Sequence, residues 1–172
     1  QMMNFVYAIG DTVTKECVLV DPCYAVSELL KVCEHDGYRV TGALATHYHP
    51  DHIGGDFMGH HIEGIEELLA ERPCKVYIHK AEAPYVQKQL GLTPADYCAV
   101  DGETTVNVGR IPVRLLHTPG HTPACLTYVI GDAAFVGDTL FMPDYGTARC
   151  DFPGGSAETL YDSIQKVLSL PP

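Results

Sequence analysis

Thr46-His47-Tyr48-His49-Pro50-Asp51-His52-Ile53-Gly54-Gly55 places three imidazoles and a carboxylate within six consecutive positions. Imidazole nitrogen and carboxylate oxygen are the donors that Zn²⁺, Fe²⁺ and similar borderline cations take. In an extended backbone, residues two apart share a side, so His47 and His49 can converge on one ion. Asp51 and His52 lie beyond Pro50, where the chain must turn, and can face a second ion nearby. The bland alternative, a surface loop that is histidine-rich by chance, does not account for the spacing or for the Gly-Gly that closes it.

Two further segments match this chemistry. Thr118-Pro119-Gly120-His121-Thr122 puts a histidine after a tight Pro-Gly turn, beyond the apolar run Ile111–Leu116. Gly137-Asp138-Thr139-Leu140-Phe141 puts a carboxylate just past the apolar run Ala133–Val136. Both are strand-end loops, where a rigid scaffold can hold a site. Either alone reads as an ordinary turn; together with the first segment they read as a divided ligand set.

Working outward, Asn4–Ile9 and Cys17–Val20 flank Gly10-Asp11-Thr12 as a hairpin. Val26, Leu29, Leu30 and Cys33 recur at helical spacing, with Gly37 at the expected stop. Arg39–Ala45 reads as the strand that feeds the histidine segment. Ile62, Ile65, Leu68 and Leu69 predict a helix ending near Pro73, with His60 and His61 at its start as cap or surface residues. Lys75–His79 reads as a strand and Ala81–Leu90 as a helix, Pro84 being tolerable only in its first turn. Thr104–Val108 with Ile111–Leu116, and Leu126–Ile130 with Ala133–Val136, predict two more hairpins. Ser156 caps a last helix running to about Leu168. Hairpins interspersed with helices predict an α/β (α+β) class in one domain over residues 1–172.

The formal charge is −11, from 22 acidic and 11 basic residues. That balance argues against nucleic-acid and anionic-membrane partners and leaves a small-molecule substrate as the expectation. Seven cysteines without a CxxC pair are not a disulfide framework. No apolar run approaches the ~20 residues of a membrane span, and Gln1–Gly10 reads as strand rather than leader. A cytoplasmic location is the default expectation.

THYHPDHIGG, TPGHT and GDTLF, in this order, resemble the successive metal motifs of the metallo-β-lactamase superfamily, and the likeness runs over residues 4–170. The resemblance implies an αββα sandwich with the site at one edge of two facing sheets. It implies a first metal on His47, His49 and His121, a second on Asp51 and His52, and Asp138 bridging them. It also implies a last histidine on a strand after the final helix. Such a strand and the closing helix would lie past Pro172, so the second site is expected to be one protein ligand short and one Zn²⁺ or Fe²⁺ to be well held.

Within that family, HYHPDHIGGDFMGHHIEGIEELL is similar to glyoxalase-II-like hydrolases, whereas GDTLFMPDYGTARCDFPGG is similar to persulfide dioxygenases. The first likeness implies a hydrolase that uses metal-activated water on a thioester or related acyl carbon, with Asp51 or Asp138 as catalytic carboxylates. The second implies a mononuclear Fe²⁺ dioxygenase of glutathione persulfide, its iron held by His47, His121 and Asp138. A metal-binding fold without turnover is the third reading. Tyr145 and Arg149 lie on the loop after GDTLF. Arg149 is the expected contact for a substrate carboxylate such as that of a glutathione derivative. Asp21, before Pro22, is expected to be a structural turn beside the metal loop.

Overall fold

The computed structural model describes Asn4 to Pro171; Gln1–Met3 and Pro172, included in the expected domain, lie outside the described residues. Strands β1 (Tyr7–Gly10), β2 (Glu16–Val20), β3 (Arg39–Leu44), β6 (Lys75–His79) and β7 (Cys98–Val100) form one sheet in that order. Strand β1 is antiparallel to β2, and the pairs β2–β3, β3–β6 and β6–β7 are parallel. Strands β8 (Thr105–Val108), β9 (Ile111–His117), β10 (Leu126–Ile130) and β11 (Ala133–Phe135) form a second, antiparallel sheet ordered β11-β10-β9-β8. All three hairpins read from the sequence are present.

The alternation of side chains along β2 explains the layering. Val18 and Val20 point into the space between the sheets, where they meet Leu44, Val113, Leu115, Leu126 and Tyr128. Cys17 and Leu19 point the other way, into a second core beneath three helices. Those helices are α1 (Val26–His35), α3 (Ile65–Glu71) and α4 (Ala83–Leu90), which bury Val26, Leu30, Ile65, Leu68, Val86 and Leu90. Each fully buried aliphatic side chain contributes roughly 1.5–3 kcal/mol. Both faces of the central sheet are covered, and its strands accordingly read as nearly continuous apolar runs. Tyr128, fully buried, ties the sheets together by donating its hydroxyl to Ala45 O at 2.6 Å.

Helix α5 (Ala157–Leu168) begins where expected, with Ser156 Oγ accepting from Thr159 N at 3.2 Å. It braces the loop before His121: Ser163 Oγ donates to Pro119 O (2.7 Å) and Lys166 Nζ to His117 O (2.9 Å). Gly120 is required there. Its φ is +135°, and a Cβ would lie 2.4 Å from Leu160 Cα, so no side chain fits between this turn and the helix.

One expectation is corrected. Ile62, His60 and His61 do not begin a helix; they form strand β5 (His60–Ile62), paired with β4 (Gly55–Phe57) in a small hairpin. Gly64 sets the boundary: its backbone amide is capped by Glu67 Oε2 (2.6 Å), and α3 starts at Ile65. The helical spacing of Ile62 with Ile65 is therefore coincidental. His61 lies between Asp56 (3.2 Å) and Glu67 (2.7 Å), on the exposed face of this hairpin. Edge strand β7 carries no signal of its own in the sequence. No helix among the described residues is long and apolar enough to cross a membrane.

Candidate metal centre

Five carboxyl-terminal strand ends meet at one edge of the sandwich. After β2 comes Asp21; after β3, His47 and His49; after β6, Glu82; after β9, His121; after β11, Asp138. Pro50 opens a single helical turn, α2 (Pro50–Ile53), which turns Asp51 and His52 back toward the same point. Gly137, at φ +51°, lies so close to Thr46 that a Cβ would be 2.6 Å from Thr46 Oγ1; this approach brings Asp138 beside His47.

The structure brings four of the expected residues tightly together. One donor atom each from His47, His49, His121 and Asp138 lies within 4.8 Å of all the others. His49 Nδ1 is 3.0 Å from both His47 Nε2 and His121 Nε2. Asp138 Oδ2 is 3.4 Å from His121 Nε2 and 3.9 Å from His47 Nε2. A tetrahedron with bonds of about 2.0–2.1 Å has edges of roughly 3.3 Å, so this spacing suits one cation.

Tautomers strengthen the fit. Thr46 Oγ1 spends its proton on Asp21 Oδ2 (2.7 Å), so His47 Nδ1–H donates to that hydroxyl at 3.1 Å. His121 Nδ1–H donates to Arg149 O at 2.6 Å. Both Nε2 atoms therefore aim lone pairs at His49 Nδ1, which has at most one proton to share. His49 Nε2 is buried without a partner among the described residues, between Tyr48 and Phe152. Three converging nitrogen lone pairs beside a carboxylate are satisfied by a divalent cation, and the donor set fits Zn²⁺ or Fe²⁺.

Electrostatics agree. Burial, followed by the neighbouring imidazoles of His52, His49 and His121, holds His47 well below the usual histidine range. Burial brings His49 down to about 4. Neutral rings are what metal ligation needs.

His52 behaves oppositely. Burial opposes its charge, but Asp21 and Asp138 outweigh burial and push it up to about 10. Its Nδ1 is 2.9 Å from Asp21 Oδ2 and its Nε2 3.2 Å from Asp138 Oδ1. Burial would raise the Asp138 pKa, yet the bond to His52 and its charge keep the carboxyl below the ordinary value. A cation bound at His52 Nε2 would have to release that proton.

Asp51 approaches His52 at 3.7 Å through Oδ2 and lies at the margin of the cluster. Asn4, which the sequence did not single out, donates from Nδ2 to Asp51 Oδ2 (2.8 Å) and Asp51 O (2.9 Å) and fixes this carboxylate. Asp21 does more than turn the chain. Held at φ +50°, its carboxylate accepts from Thr46 N (2.7 Å) as well as from Thr46 Oγ1 and His52 Nδ1.

Glu82 was likewise missed, because before Ala83-Pro84 it reads as an ordinary acidic residue at a helix start. It is 1% exposed, and burial pushes its carboxyl up to about 7.

Of the expected substrate contacts, Arg149 adjoins the cluster through its carbonyl, which accepts from His121, while its guanidinium is engaged by its own neighbours. Arg149 forms a bidentate pair with Asp151 (2.6 and 2.5 Å), its guanidinium 5.0 Å over the Phe152 ring. Tyr145 is exposed on a turn closed by its amide to Met142 O (2.8 Å). His79 and His117, the last residues of β6 and β9, stack on each other at 4.6 Å between ring centroids. The seven cysteines are unpaired.

Two facing sheets with outer helices and a histidine–carboxylate cluster at strand ends define a metalloprotein of the αββα sandwich class. The chain belongs to the metallo-β-lactamase superfamily: a family model described as "Metallo-beta-lactamase superfamily" matches residues 2–58 and 60–172. It is 38% identical to a "Probable metallo-hydrolase" of Burkholderia pseudomallei (strain 1710b), covering 96% of this chain and 64% of that protein. It is 33% identical to the mitochondrial persulfide dioxygenase ETHE1 of Bos taurus, covering 98% of this chain and 60% of that one. The crystal structure of ETHE1 from Myxococcus xanthus superposes with a TM-score of 0.75 at 31% identity, covering 96% of this chain and 65% of that one. The chain thus spans less than two thirds of the length of each of these three.

Proposed function

We propose that this chain is a metal-dependent hydrolase that cleaves a thioester or related acyl bond with one Zn²⁺ or Fe²⁺ held by His47, His49, His121 and Asp138. The observation that carries the reading is the set of four donor atoms within 4.8 Å, with protonation states suited to ligation. When bound, such a cation supplies Lewis acidity and lowers the pKa of a bound water toward neutrality. The protein's own part is to hold three neutral imidazoles in place and to keep two carboxylates beside them. Asp138 stays ionised because His52 faces it. Asp51, gripped by Asn4, orients the attacking water and accepts its proton. Water adds to the acyl carbon, the C–S bond breaks, and a carboxylic acid and a thiol leave. The Phe152 ring walls the mouth, and Arg149 stands there exposed, able to exchange Asp151 for a carboxylate of a small substrate such as a glutathione derivative.

A second reading is a persulfide dioxygenase. What favours it is that His121 Nε2 and His47 Nε2 stand on either side of Asp138 Oδ2 as a two-imidazole, one-carboxylate set, the donor type of non-haem iron oxygenases. The likeness to the Bos taurus dioxygenase adds to it.

Metal content of protein purified without added metal, together with two assays, tests both readings. Hydrolysis of S-lactoylglutathione by the zinc- or iron-loaded chain is the expected result. Oxygen uptake with glutathione persulfide on iron-loaded chain alone would replace the first reading by the second. Bound metal with neither activity would overturn both and leave a metal-binding fold without turnover.

A further inference from the structure

We infer that Glu82 is a positioning residue that locks the two histidine-bearing loops in register. The inference rests on reading the four-donor cluster as a metal site. The Glu82 carboxylate sits between two otherwise separate segments. Its Oε2 accepts from Tyr48 N at 2.6 Å, and Tyr48 is the residue between His47 and His49. Its Oε1 accepts from Thr122 Oγ1 at 2.5 Å, and Thr122 follows His121. One rigid side chain thus spans the loop after β3, in the first sheet, and the loop after β9, in the second.

The arrangement is specific. Glu82 is anchored at the start of α4, where its own amide donates to His79 O (2.9 Å) and its carbonyl accepts from Tyr85 N (2.9 Å) and Val86 N (3.1 Å). The side chain is not free to follow either loop. On the opposite flank of the histidine segment, Asp21 accepts from Thr46 N at 2.7 Å. Alternate amides of the segment 46–48 are therefore held by two buried acids from different strand ends, with His47 between the anchored amides and His49 directly after the second. A buried carboxylate carries a large desolvation penalty unless its bonds are made, so a shift of either loop is resisted at Glu82. Groups that orient metal ligands from outside typically change metal affinity by about 10–100-fold when removed.

The test uses Glu82→Leu, which keeps a side chain of similar bulk without the carboxylate. Leucine accepts from neither Tyr48 N nor Thr122 Oγ1, so both ends of the clamp are lost. Thr122→Val breaks the same clamp at its far end, and Thr122→Ser keeps the hydroxyl. Zn²⁺ affinity by competition with a chromogenic chelator and the visible absorption bands of the Co²⁺-loaded chain are read for all four proteins. The expected result is a loss of Zn²⁺ affinity of about 10–100-fold in Glu82→Leu and Thr122→Val, with altered Co²⁺ bands, and native behaviour in Thr122→Ser. Altered bands report ligand geometry, which a side chain that only stabilises the core would not change.

Native affinity and native bands in both Glu82→Leu and Thr122→Val would overturn the inference while leaving the metal reading intact. If Glu82→Leu does not fold, Thr122→Val decides by the same criterion. A wild-type chain that takes up neither ion overturns the metal reading and this inference with it.

Discussion

Replacing Asp21 by Asn in the metal-free protein isolates the buried charge network behind the cluster. Asp21 Oδ2 faces the His52 Nδ1–H at 2.9 Å, while Oδ1 accepts from Thr46 N at 2.7 Å. An asparagine keeps the carbonyl for Thr46 N but turns an N–H toward His52 Nδ1–H, so two donors meet. A hydrogen bond to a charged group is worth about 1.5–3 kcal/mol, and breaking a buried ion pair costs about 3–5 kcal/mol. Asp138 still neutralises His52 from the other side at 3.2 Å, which places the expected loss near the lower end, about 3 kcal/mol at pH 7. For a chain of this size that lowers Tm by about 6–12 °C.

The pH dependence follows from the sign of the His52 shift. Its folded-state pKa, about 10, lies above its unfolded value, about 6.5. Its contribution is therefore fully present below the unfolded value and is lost as pH rises through the folded one. The gap between wild type and Asp21→Asn should be widest below about pH 6.5 and narrow steadily toward pH 10. Urea titrations of chelator-treated proteins at a series of pH values, with m compared alongside the midpoint, measure this directly. A variant within about 1 kcal/mol of wild type at pH 7, against a total stability of about 5–15 kcal/mol, would refute the argument; so would a gap that does not change with pH.

Three further outcomes are expected. Removing one converging nitrogen, in His121→Ala, should weaken Zn²⁺ binding by more than the ~10–100-fold seen for outer partners, read by chelator competition. Tyr128→Phe leaves the buried Ala45 carbonyl without the hydroxyl it now accepts from, and denaturant unfolding should show a loss of about 1–3 kcal/mol. His79 and His117 are both held below the usual range, chiefly by burial. Stability should therefore fall as pH drops below the unfolded value of about 6.5, where the unfolded chain takes up protons that the stacked rings resist. Replacing both by Gln should flatten the midpoint–pH curve between about pH 5 and 7, and an unchanged slope would count against this origin.

The residues legible in the sequence were those whose signal is local. His47, His49, His121 and Asp138 each sit in a short motif at the end of an apolar run, and the structure gathers them. The long apolar alternations of β9 and β10 and the capped α5 were legible for the same reason. Glu82 and Asn4 were not, because nothing near them in the chain distinguishes a buried carboxylate or amide from an exposed one. Their roles come from partners 34 to 48 positions away. The β4–β5 hairpin escaped because three-residue strands are too short to establish a period, and Ile62 falls by chance on the stripe of the next helix.

His121 and His49 meet across 72 residues of chain, from loops that belong to different sheets. No contiguous fragment carries this constellation, so the four donors come together only when the two sheets have docked. An ion with little affinity for the unfolded chain stabilises the native one by RT ln(1 + [M]/Kd). At a hundredfold excess over Kd that amounts to about 2.7 kcal/mol. A cation seated there would act as a ligand that holds the two sheets shut. Withdrawing it should loosen the seam between them before it unravels either one.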